Sequence, residues 1–533
     1  MSVHEIHAGN ALDRDLVLEG DVAVVGTGAG GAISAEILAR AGLRVVIMEE
    51  GGYHDTTRDF TLRELPSVAR LYREGGARPT KDGAIAVVQG RTVGGSTTVN
   101  WTSSFRTPER TLHHWREAHG IEGLGPEELA PWFESMERRL HIEPWNTPNS
   151  NNALLARGAA ALGWSYGAIR RNVHGCGSLG YCGLGCPIGA KQSMDRTAVP
   201  AALDHGAALA TRVRAERLEF VGDRVTAVAG VALDERGVRP TGRRVWLRAP
   251  WVVVAAAAIE SPALLMRSGI PDPHRRLGKR TFLQTHNYSL ALMPDPVDPF
   301  YGAPQSVYTD QFTWRDGITG RAGFNMEAAG AQPVVSMNQF KGLGAELADF
   351  ARRLRYLHTL VSQIRDGFHE ESIGGEVLLR EDGSAVLDYP INEYIWDGVR
   401  ASYLAMAECQ FAAGATSVQP ACSDASSHRS WQEARAEIAG LRLRSPNVFL
   451  NSTHPLGGCA MGADPRTSVV GASGRHHQMS NLAVFDGSVF PTSLGVNPSL
   501  SIYALAARNA TALAGRIAGR APAENEERGH EQP

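Results

Sequence analysis

The histidine in residues 451–459, NSTHPLGGC, is the first side chain whose type and setting could do chemistry. His454 precedes a proline and a glycine pair, and Cys459 follows five positions later. An imidazole titrates near neutral pH, so it can bind a metal, accept a proton or pack in a core. One histidine and one cysteine lack the ligand number and spacing of a zinc site. The segment alone leaves the structural role and the proton-acceptor role open.

A second cluster of chemically active side chains lies in residues 174–192, HGCGSLGYCGLGCPIGAKQ. Zinc sites and iron–sulfur clusters use cysteine and histidine ligands of this kind. The spacing of Cys176, Cys182 and Cys186 is neither a usual zinc pattern nor a ferredoxin run. We therefore predict no metal, although a metal or cluster held by these cysteines stays open.

The elements that would position such side chains begin with a strand–helix–strand unit. Residues 21–25 (DVAVV) are an apolar run before GTGAGG, residues 32–40 have helical composition, and residues 43–48 (LRVVIM) are a second apolar run. Apolar strands without alternation are typical of a parallel sheet that is buried on both faces. The order predicts the βαβ unit of an α/β protein.

The turn of this unit carries a dinucleotide-binding pattern. Gly26, Gly28 and Gly31 form G-x-G-x-x-G, in which the glycines permit a tight turn, backbone approach to a pyrophosphate and close helix packing. Glu49 ends the second strand, where an acid binds ribose hydroxyls. The pattern does not separate NAD from FAD. A second Gly-rich segment, GRTVGGSTTVNWTSSFR at 90–106, favours the longer reach of FAD, although its residues also fit an ordinary polar loop.

Composition excludes several other classes of protein. The 533 residues are 43% hydrophobic and carry a formal net charge of -3, so no basic field attracts nucleic acid. No stretch approaches the roughly twenty apolar residues of a membrane span. The first twenty residues show no export signal, and six cysteines suggest no disulfide scaffold, so we expect a cytoplasmic protein.

Further apolar runs extend the prediction along the chain. Residues 251–258 (WVVVAAAA) and 482–485 are predicted strands, and Ser499–Ile517 is a predicted helix. Between about 291 and 445 the pattern changes to alternating polar residues and aromatics such as Phe300, Tyr301, Tyr308, Phe312, Trp314 and Phe324. The predicted domains are a first FAD-binding part at 15–290 with insertions near 53–80 and 110–199, a substrate-binding domain at 291–445, a second FAD-binding part at 446–518, and a disordered tail at 519–533.

Four separated motifs resemble those of the glucose–methanol–choline (GMC) family of flavoprotein oxidoreductases, in the family's order. They are VVGTGAGG with VVIMEEGG, GRTVGGSTTVNW, VVVAAAAIESPALLMRSG, and HPLGGC followed by NLAVFDGSVFPTSLGVNPSLS. HPLGGC and GVNP look most like cholesterol oxidases, whereas GGSTTVNW and CGLGCPIGAKQS look more like long-chain fatty-alcohol oxidases. The resemblance implies a Rossmann-like FAD-binding domain with a parallel sheet, an inserted α+β substrate-binding domain, FAD as cofactor and oxidation of an alcohol to a carbonyl.

The resemblance also implies residue roles. Those that would hold FAD are Gly26, Gly28, Gly31, Glu49, Arg91, Gly95, Ser96, Asn100, Val213 (through its backbone, to adenine), Asp486, Gly487, Asn497 and Pro498. One departure is Trp101, where many members have glycine, and its ring is expected to narrow the approach to the flavin.

A catalytic pair follows from the same likeness. Hydride leaves an alcohol carbon readily only as the oxygen becomes an alkoxide, so a base within hydrogen-bond reach is required. His454 is the predicted base, and Asn497 is predicted to orient the hydroxyl. His286 and Glu327 are predicted to be structural, although both could face the substrate.

Several alternatives stay open at this stage. The substrate is expected to be a small-molecule alcohol of hydrophobic or aromatic character, and the electron acceptor is oxygen, a quinone or a redox protein. Rival hypotheses are a lyase with redox-silent FAD, and a flavin subunit that relays electrons to a partner chain. Covalent attachment of FAD and the oligomeric state are not predicted.

Overall fold

A computed structural model describes residues 4–337 and 343–519. Its centre is a six-stranded sheet in which every neighbouring pair is parallel. In spatial order the strands are Glu5–Ala8, Ala208–Thr211, Val45–Met48, Val22–Val25, Trp251–Val254 and Leu482–Val484. The four central strands are buried almost throughout. The helix Ala29–Arg40 packs against two of them, and the strands Val213–Val221 and Pro240–Arg248 of a smaller sheet also contact Val45–Met48, so little surface is left for polar residues.

The helix Ala29–Arg40 packs against the central strands Val22–Val25 and Val45–Met48, and Ser499–Ile517 packs against that helix. Ala29–Arg40 begins three residues earlier than predicted, directly after the glycine turn, and Ser499–Ile517 has the predicted bounds. Glycine at position 30 lets Ala29–Arg40 approach the end of the strand Leu482–Val484, since a Cβ on Gly30 would lie 1.6 Å from the carbonyl oxygen of Phe485.

The predicted strand at 251–258 is too long. The strand ends at Val254, and the helix Ala257–Ser268 begins three residues later. Alanine favours a helix once the chain leaves the sheet. The Asp486 carboxylate also accepts hydrogen bonds from the backbone N–H of Ala257 (2.8 Å) and the hydroxyl of Ser261 (2.5 Å), which stabilises the first turn.

A second, mainly antiparallel sheet faces the parallel one across the molecule. Its nine strands are Arg78–Pro79, Ala86–Val87, Asn451–Ser452, His286–Leu292, Leu357–Ile364, Phe324–Ala328, Val307–Phe312 and Gly167–Ala168, with Ser417–Pro420 paired to His286–Leu292. The long helix Glu393–Ala412 packs against three of its central strands. The strand His286–Leu292 continues across the predicted domain boundary at 290/291. The limits of the predicted domains stay predictions.

Three smaller sheets and the other helices complete the fold. The small sheets comprise Ser103–Ser104, Arg170–Asn172 and Ile142–Pro144; Val213–Val221, Arg224–Leu233, Pro240–Arg248 and Leu16–Glu19; and Ala385–Asp388, Gly375–Leu379, Lys279–Phe282 and Leu456–Gly457. The other α-helices are Thr56–Asp59, Glu64–Leu71, Glu109–His119, Pro126–Arg139, Ser150–Ala161, Ala198–Asp204, Pro333–Met337, Ala345–Arg353 and Trp431–Gly440. Short 3-10 turns lie at Gly9–Ala11, Arg73–Gly76, Gly95–Thr98, Cys182–Leu184, Leu354–Tyr356 and Gly487–Val489.

The arrangement confirms the predicted fold class, in which a parallel sheet is combined with a second α+β layer. Across 4–337 and 343–519, every helix is too short or too polar to traverse a lipid bilayer. The predicted tail lies, from residue 520 onward, outside the described residues.

Candidate active site

A cavity of about 620 Å³ lies between the two large sheets, and nearly all the predicted site residues line it. Those that line it are His454, Asn497, Gly26, Gly28, Glu49, Arg91, Gly95, Ser96, Asn100, Val213, Asp486, Gly487 and Pro498. Gly31 is the exception. A Cβ on Gly31 would lie 2.0 Å from the carbonyl oxygen of Gly26, so its place is at the contact between helix and strand, as the pattern predicts.

The two glycine-rich segments meet at the wall of this cavity. A Cβ on Gly95 would lie 2.8 Å from the Cα of Gly28, whereas a Cβ on Gly28 would meet nothing within 4 Å. Gly28 therefore faces open space, and Gly26 has the left-handed φ of 97° that the tight turn requires. Bare backbone beside the first turn of Ala29–Arg40 fits an extended ligand carrying a pyrophosphate.

Glu49 is held by three hydrogen bonds at the end of the cavity beside the glycine turn. Its carboxylate accepts from the backbone N–H of Thr27 (2.9 Å), the hydroxyl of Thr27 (2.7 Å) and the backbone N–H of Gly51 (2.8 Å). Burial raises the pKa of Glu49, and these hydrogen bonds oppose the rise. A carboxylate has about four acceptor positions, so ribose hydroxyls still have a place to bind.

Arg91 and Val213, two other residues predicted to hold FAD, form hydrogen bonds within the protein. The Arg91 guanidinium donates to the backbone carbonyls of Gly237 (2.5 Å) and Arg236 (3.0 Å). The backbone N–H of Val213 donates to the carbonyl of Glu49 at 2.9 Å, and that N–H is thus not free for adenine.

At the other end of the cavity, His454 is surrounded by polar side chains of the antiparallel sheet. Its Nδ1 lies 3.1 Å from Nε2 of Gln284 and 3.3 Å from Nε2 of His286. The rings of His286 and His454 meet edge to face with centroids 4.9 Å apart. Burial, assisted by His286, holds the pKa of His454 well below its usual range, so the imidazole is neutral near pH 7.

Asn497 lies on the facing loop with a buried acid beside it. The Asn497 side-chain oxygen is buried without a hydrogen-bond partner among the described residues. Glu327 is fully buried, and burial raises its pKa to about 8, although Asn497 and Gln363 favour the charged form. At neutral pH Glu327 is therefore a protonated acid next to Asn497.

The floor of the cavity is one face of the antiparallel sheet. His286, Tyr288 and Leu290 alternate along one strand, and they face Gln363, Val361, Thr359 and Leu357 around the cavity. The floor is polar beside His454 and becomes more apolar away from it. Leu65, Val68, Val335 and Phe350 continue the apolar lining.

Four further polar residues lie around His454 and Asn497: Gln284, His286, Glu327 and Gln363. His286 and Glu327 are predicted from the sequence to be structural although both could face the substrate, whereas the sequence analysis does not single out Gln284 and Gln363. A signal for them exists in the sequence, because polar residues stand two apart on strands that are otherwise apolar, as in Asn325 and Glu327. Such spacing places both side chains on one face of a strand.

The aromatic residues named from the sequence at 291–445 do not line the cavity. Phe312 and Phe324 stack on each other in the core beneath the sheet. The aromatic lining comes from other positions, namely Tyr72, Trp101, Tyr288, Phe350 and Phe449. The six aromatic residues named from the sequence therefore give no support to an aromatic substrate. Trp101 lies in the cavity wall, as expected.

The cysteine-bearing loop forms part of the cavity wall beside Trp101. Cys176, Cys182 and Cys186 are free thiols, and the described part of the chain holds no group of three or more His, Cys, Asp or Glu arranged for a metal ion. Lys191, almost fully buried, donates to the backbone carbonyls of Thr98, Asn100 and Cys182 at 2.5, 3.1 and 2.7 Å. The loop thereby fixes the second glycine-rich segment.

Family models match two long parts of this chain. Residues 68–286 match the N-terminal model of GMC oxidoreductases, and residues 375–506 match the C-terminal model. The chain is a member of the GMC oxidoreductase family. The resemblance predicted from the four motifs is thus confirmed.

Similar proteins agree with this assignment. An uncharacterised GMC-type oxidoreductase of Mycobacterium tuberculosis is 33% identical over 95% of this chain and 78% of its own length. The long-chain-alcohol oxidase FAO4B of Arabidopsis thaliana is 28% identical over 91% of this chain and 66% of the oxidase. Together with the family match, these likenesses confirm an FAD-dependent oxidoreductase acting on CH–OH groups.

Solved structures show the same fold. Pyridoxine 4-oxidase from Mesorbium loti superposes with a TM-score of 0.63 at 19% identity, covering 92% of this chain and 98% of that one. Formate oxidase of Aspergillus oryzae gives a TM-score of 0.68 at 15% identity, covering 93% and 98%.

Proposed function

We propose that this GMC oxidoreductase oxidises a hydrophobic alcohol, with His454 as the proton acceptor and Asn497 as the group that orients the hydroxyl. The observation that carries the proposal is the setting of His454. Its Nδ1 faces Gln284 and His286 at 3.1 and 3.3 Å, which leaves Nε2 as the ring nitrogen available to a ligand in the cavity. FAD, when bound, accepts the hydride that leaves the alcohol carbon.

The protein's own groups prepare the hydroxyl for that transfer. A neutral imidazole accepts the hydroxyl proton, and the depressed pKa of His454 keeps it neutral across the physiological range. The amide N–H of Asn497 can donate to the substrate oxygen and stabilise its developing negative charge without competing for the proton. Because both groups are largely enclosed, their electrostatic effect on the oxygen is stronger than it would be in water.

The apolar part of the cavity supports a hydrophobic alcohol. Its lining residues include Leu65, Val68, Val335, Phe350 and Leu357. Leu357 lies at the end of its strand remote from Gln363, which faces His286. Apolar walls stabilise a bound hydrocarbon chain by about 0.8 kcal/mol for each buried methylene group. Four Arabidopsis relatives are long-chain-alcohol oxidases, which favours a long-chain alcohol as substrate and oxygen as electron acceptor. The cytoplasmic location stays a prediction of the sequence.

An anaerobic titration of the FAD-loaded protein tests the proposal. Aliphatic alcohols of increasing length, aryl alcohols, sterols and sugars are added while the visible flavin spectrum is recorded. We expect bleaching by long aliphatic alcohols and little effect from sugars. A flavin spectrum that no alcohol changes would contradict alcohol oxidation and favour a redox-silent lyase.

A further inference from the structure

The polar groups at Nδ1 of His454 determine which ring nitrogen carries the proton. Gln284 Nε2 has two hydrogens but three neighbours: the side-chain oxygen of Gln363 (2.9 Å), the carbonyl oxygen of Val496 (3.2 Å) and Nδ1 of His454 (3.1 Å). The orientation of the Gln284 amide is fixed on its other side, because its oxygen accepts the backbone N–H of Gly495 at 3.2 Å.

The two oxygen neighbours of Gln284 can only accept hydrogen bonds, so they take its two hydrogens. No hydrogen of Gln284 is then left for His454. The remaining partner of Nδ1 is Nε2 of His286, at 3.3 Å. One of these two nitrogens must donate to the other.

The surroundings of His286 indicate the direction of that bond. His286 and Asn451 lie opposite each other on paired strands, so the Asn451 side chain is next to the His286 ring, and interaction with it favours a proton on that ring. The Asn451 oxygen accepts from the Tyr288 hydroxyl at 3.1 Å. Burial lowers the pKa of His286 to about 3, so the ring carries a single proton in the working pH range. If that proton lies on the side of Asn451, the nitrogen that faces His454, Nε2, offers its lone pair to Nδ1 of His454.

We propose that His286 is a positioning residue that holds His454 in the Nδ1–H tautomer. His454 donates from Nδ1 to Nε2 of His286, and its own Nε2 keeps the lone pair facing the cavity. A catalytic consequence rests on the proposed function: only this tautomer can receive the hydroxyl proton at Nε2. The opposite tautomer would present an N–H there and could not act as a base.

Three substitutions separate this role from simple packing. His286→Gln places its side-chain oxygen near the position of Nε2 of His286, so this variant still offers an acceptor to Nδ1 of His454. His286→Asn is a shorter amide that ends near the position of Nδ1 and does not reach His454. His286→Leu keeps the bulk and removes hydrogen bonding. A packing role predicts that all three behave alike or that Leu is best tolerated.

The tautomer is measured directly by NMR of the FAD-loaded enzyme labelled with ¹⁵N-histidine, without any substrate. The chain has 18 histidines, and the His454 signals are assigned by their loss in His454→Gln. We expect a protonated Nδ1 and an unprotonated Nε2 at His454. A protonated Nε2 in the wild-type enzyme would overturn the proposal, whether or not any variant folds.

The variants add a kinetic readout. We expect His286→Leu and His286→Asn to slow flavin reduction at saturating alcohol by about 10- to 100-fold, with KM little changed, and His286→Gln to restore most of the rate. Folded, FAD-loaded variants that reduce flavin at equal rates would overturn the proposal. If no alcohol reduces the wild-type flavin, the proposed function fails, while the tautomer measurement still decides the role of His286.

Discussion

A Cβ on Gly31 would lie 2.0 Å from the carbonyl oxygen of Gly26, whereas a Cβ on Gly28 would point into the open cavity. Gly31→Ala is therefore expected to lower the free energy of unfolding by about 1–3 kcal/mol or more, because a packed contact must open. Gly28→Ala is expected to leave the apoprotein as stable as wild type and to weaken FAD binding by roughly tenfold or more, since the methyl group occupies ligand space.

Urea unfolding of the two apoproteins and FAD titration by fluorescence check this pair. Each variant serves as the control for the other. Tight FAD binding by Gly28→Ala, or full stability of Gly31→Ala, would contradict the roles assigned to these glycines.

Lys191 provides a second test, which concerns the link between the cysteine-bearing loop and the second glycine-rich segment. Lys191→Met has similar length but leaves the carbonyls of Thr98, Asn100 and Cys182 without their donor, so we expect a loss of about 3 kcal/mol in the free energy of unfolding. Lys81→Met is the matched control. It removes an exposed ion pair with Asp388, which water and salt screen, and should cost far less stability than Lys191→Met.

Chemical denaturation of both lysine variants measures the difference. Equal losses for Lys191→Met and Lys81→Met would show that the buried ammonium group does not hold the loop.

The raised pKa of the buried Glu327 carboxyl predicts that the free energy of unfolding depends on pH. The folded protein retains the Glu327 proton up to about pH 8, while the ordinary pKa of a glutamate is 4.5. The contribution of this group to stability is complete below pH 4.5 and is lost as pH rises toward 8, since the folded state binds the extra proton. Glu327→Gln cannot ionise, so wild type should lose stability relative to this variant at up to about 1.4 kcal/mol per pH unit.

Denaturation curves for wild type and Glu327→Gln at several pH values between 5 and 8 check this expectation. Parallel pH dependences would mean that Glu327 ionises normally in the folded protein.

The depressed pKa of His454 predicts the shape of the activity profile. A histidine at its ordinary pKa, about 6.5, would lose base function below that pH. Burial holds His454 neutral at lower pH, so the rate of flavin reduction at saturating alcohol should stay level through pH 6.5. Stopped-flow reduction measured from pH 5 to 8 tests this, and an acid limb centred at 6.5 or above would contradict the neutral-imidazole account.

Local patterns in the sequence predict much of the nucleotide-binding half. The glycine turn, the apolar strands and the helix Ser499–Ile517 depend on neighbouring residues, so their types and most of their bounds can be read from short segments. The predicted strand at 251–258 is too long because the alanine run continues the unbroken apolar pattern of a buried strand, although alanine itself favours a helix. Only the contact of Ala257 with Asp486, 229 positions away, shows where the helix begins.

The surroundings of His454 could be predicted only in part. His454 and Asn497 lie in motifs, and the cavity does bring them together. Gln284, His286 and Gln363 reach the same place because the strand His286–Leu292 pairs with Leu357–Ile364, a contact between distant segments. Isolated polar residues on such strands resemble satisfied core residues until the pairing is known.

The measurement that tests the central claim most directly is single-turnover flavin reduction by FAD-loaded wild type and His454→Gln. Both proteins are mixed anaerobically with a saturating long-chain alcohol at neutral pH, after their FAD content and spectra are shown to match. We predict that loss of the base slows reduction by about 100-fold or more in His454→Gln. Reduction at the wild-type rate by His454→Gln would contradict the assignment of His454 as the proton acceptor.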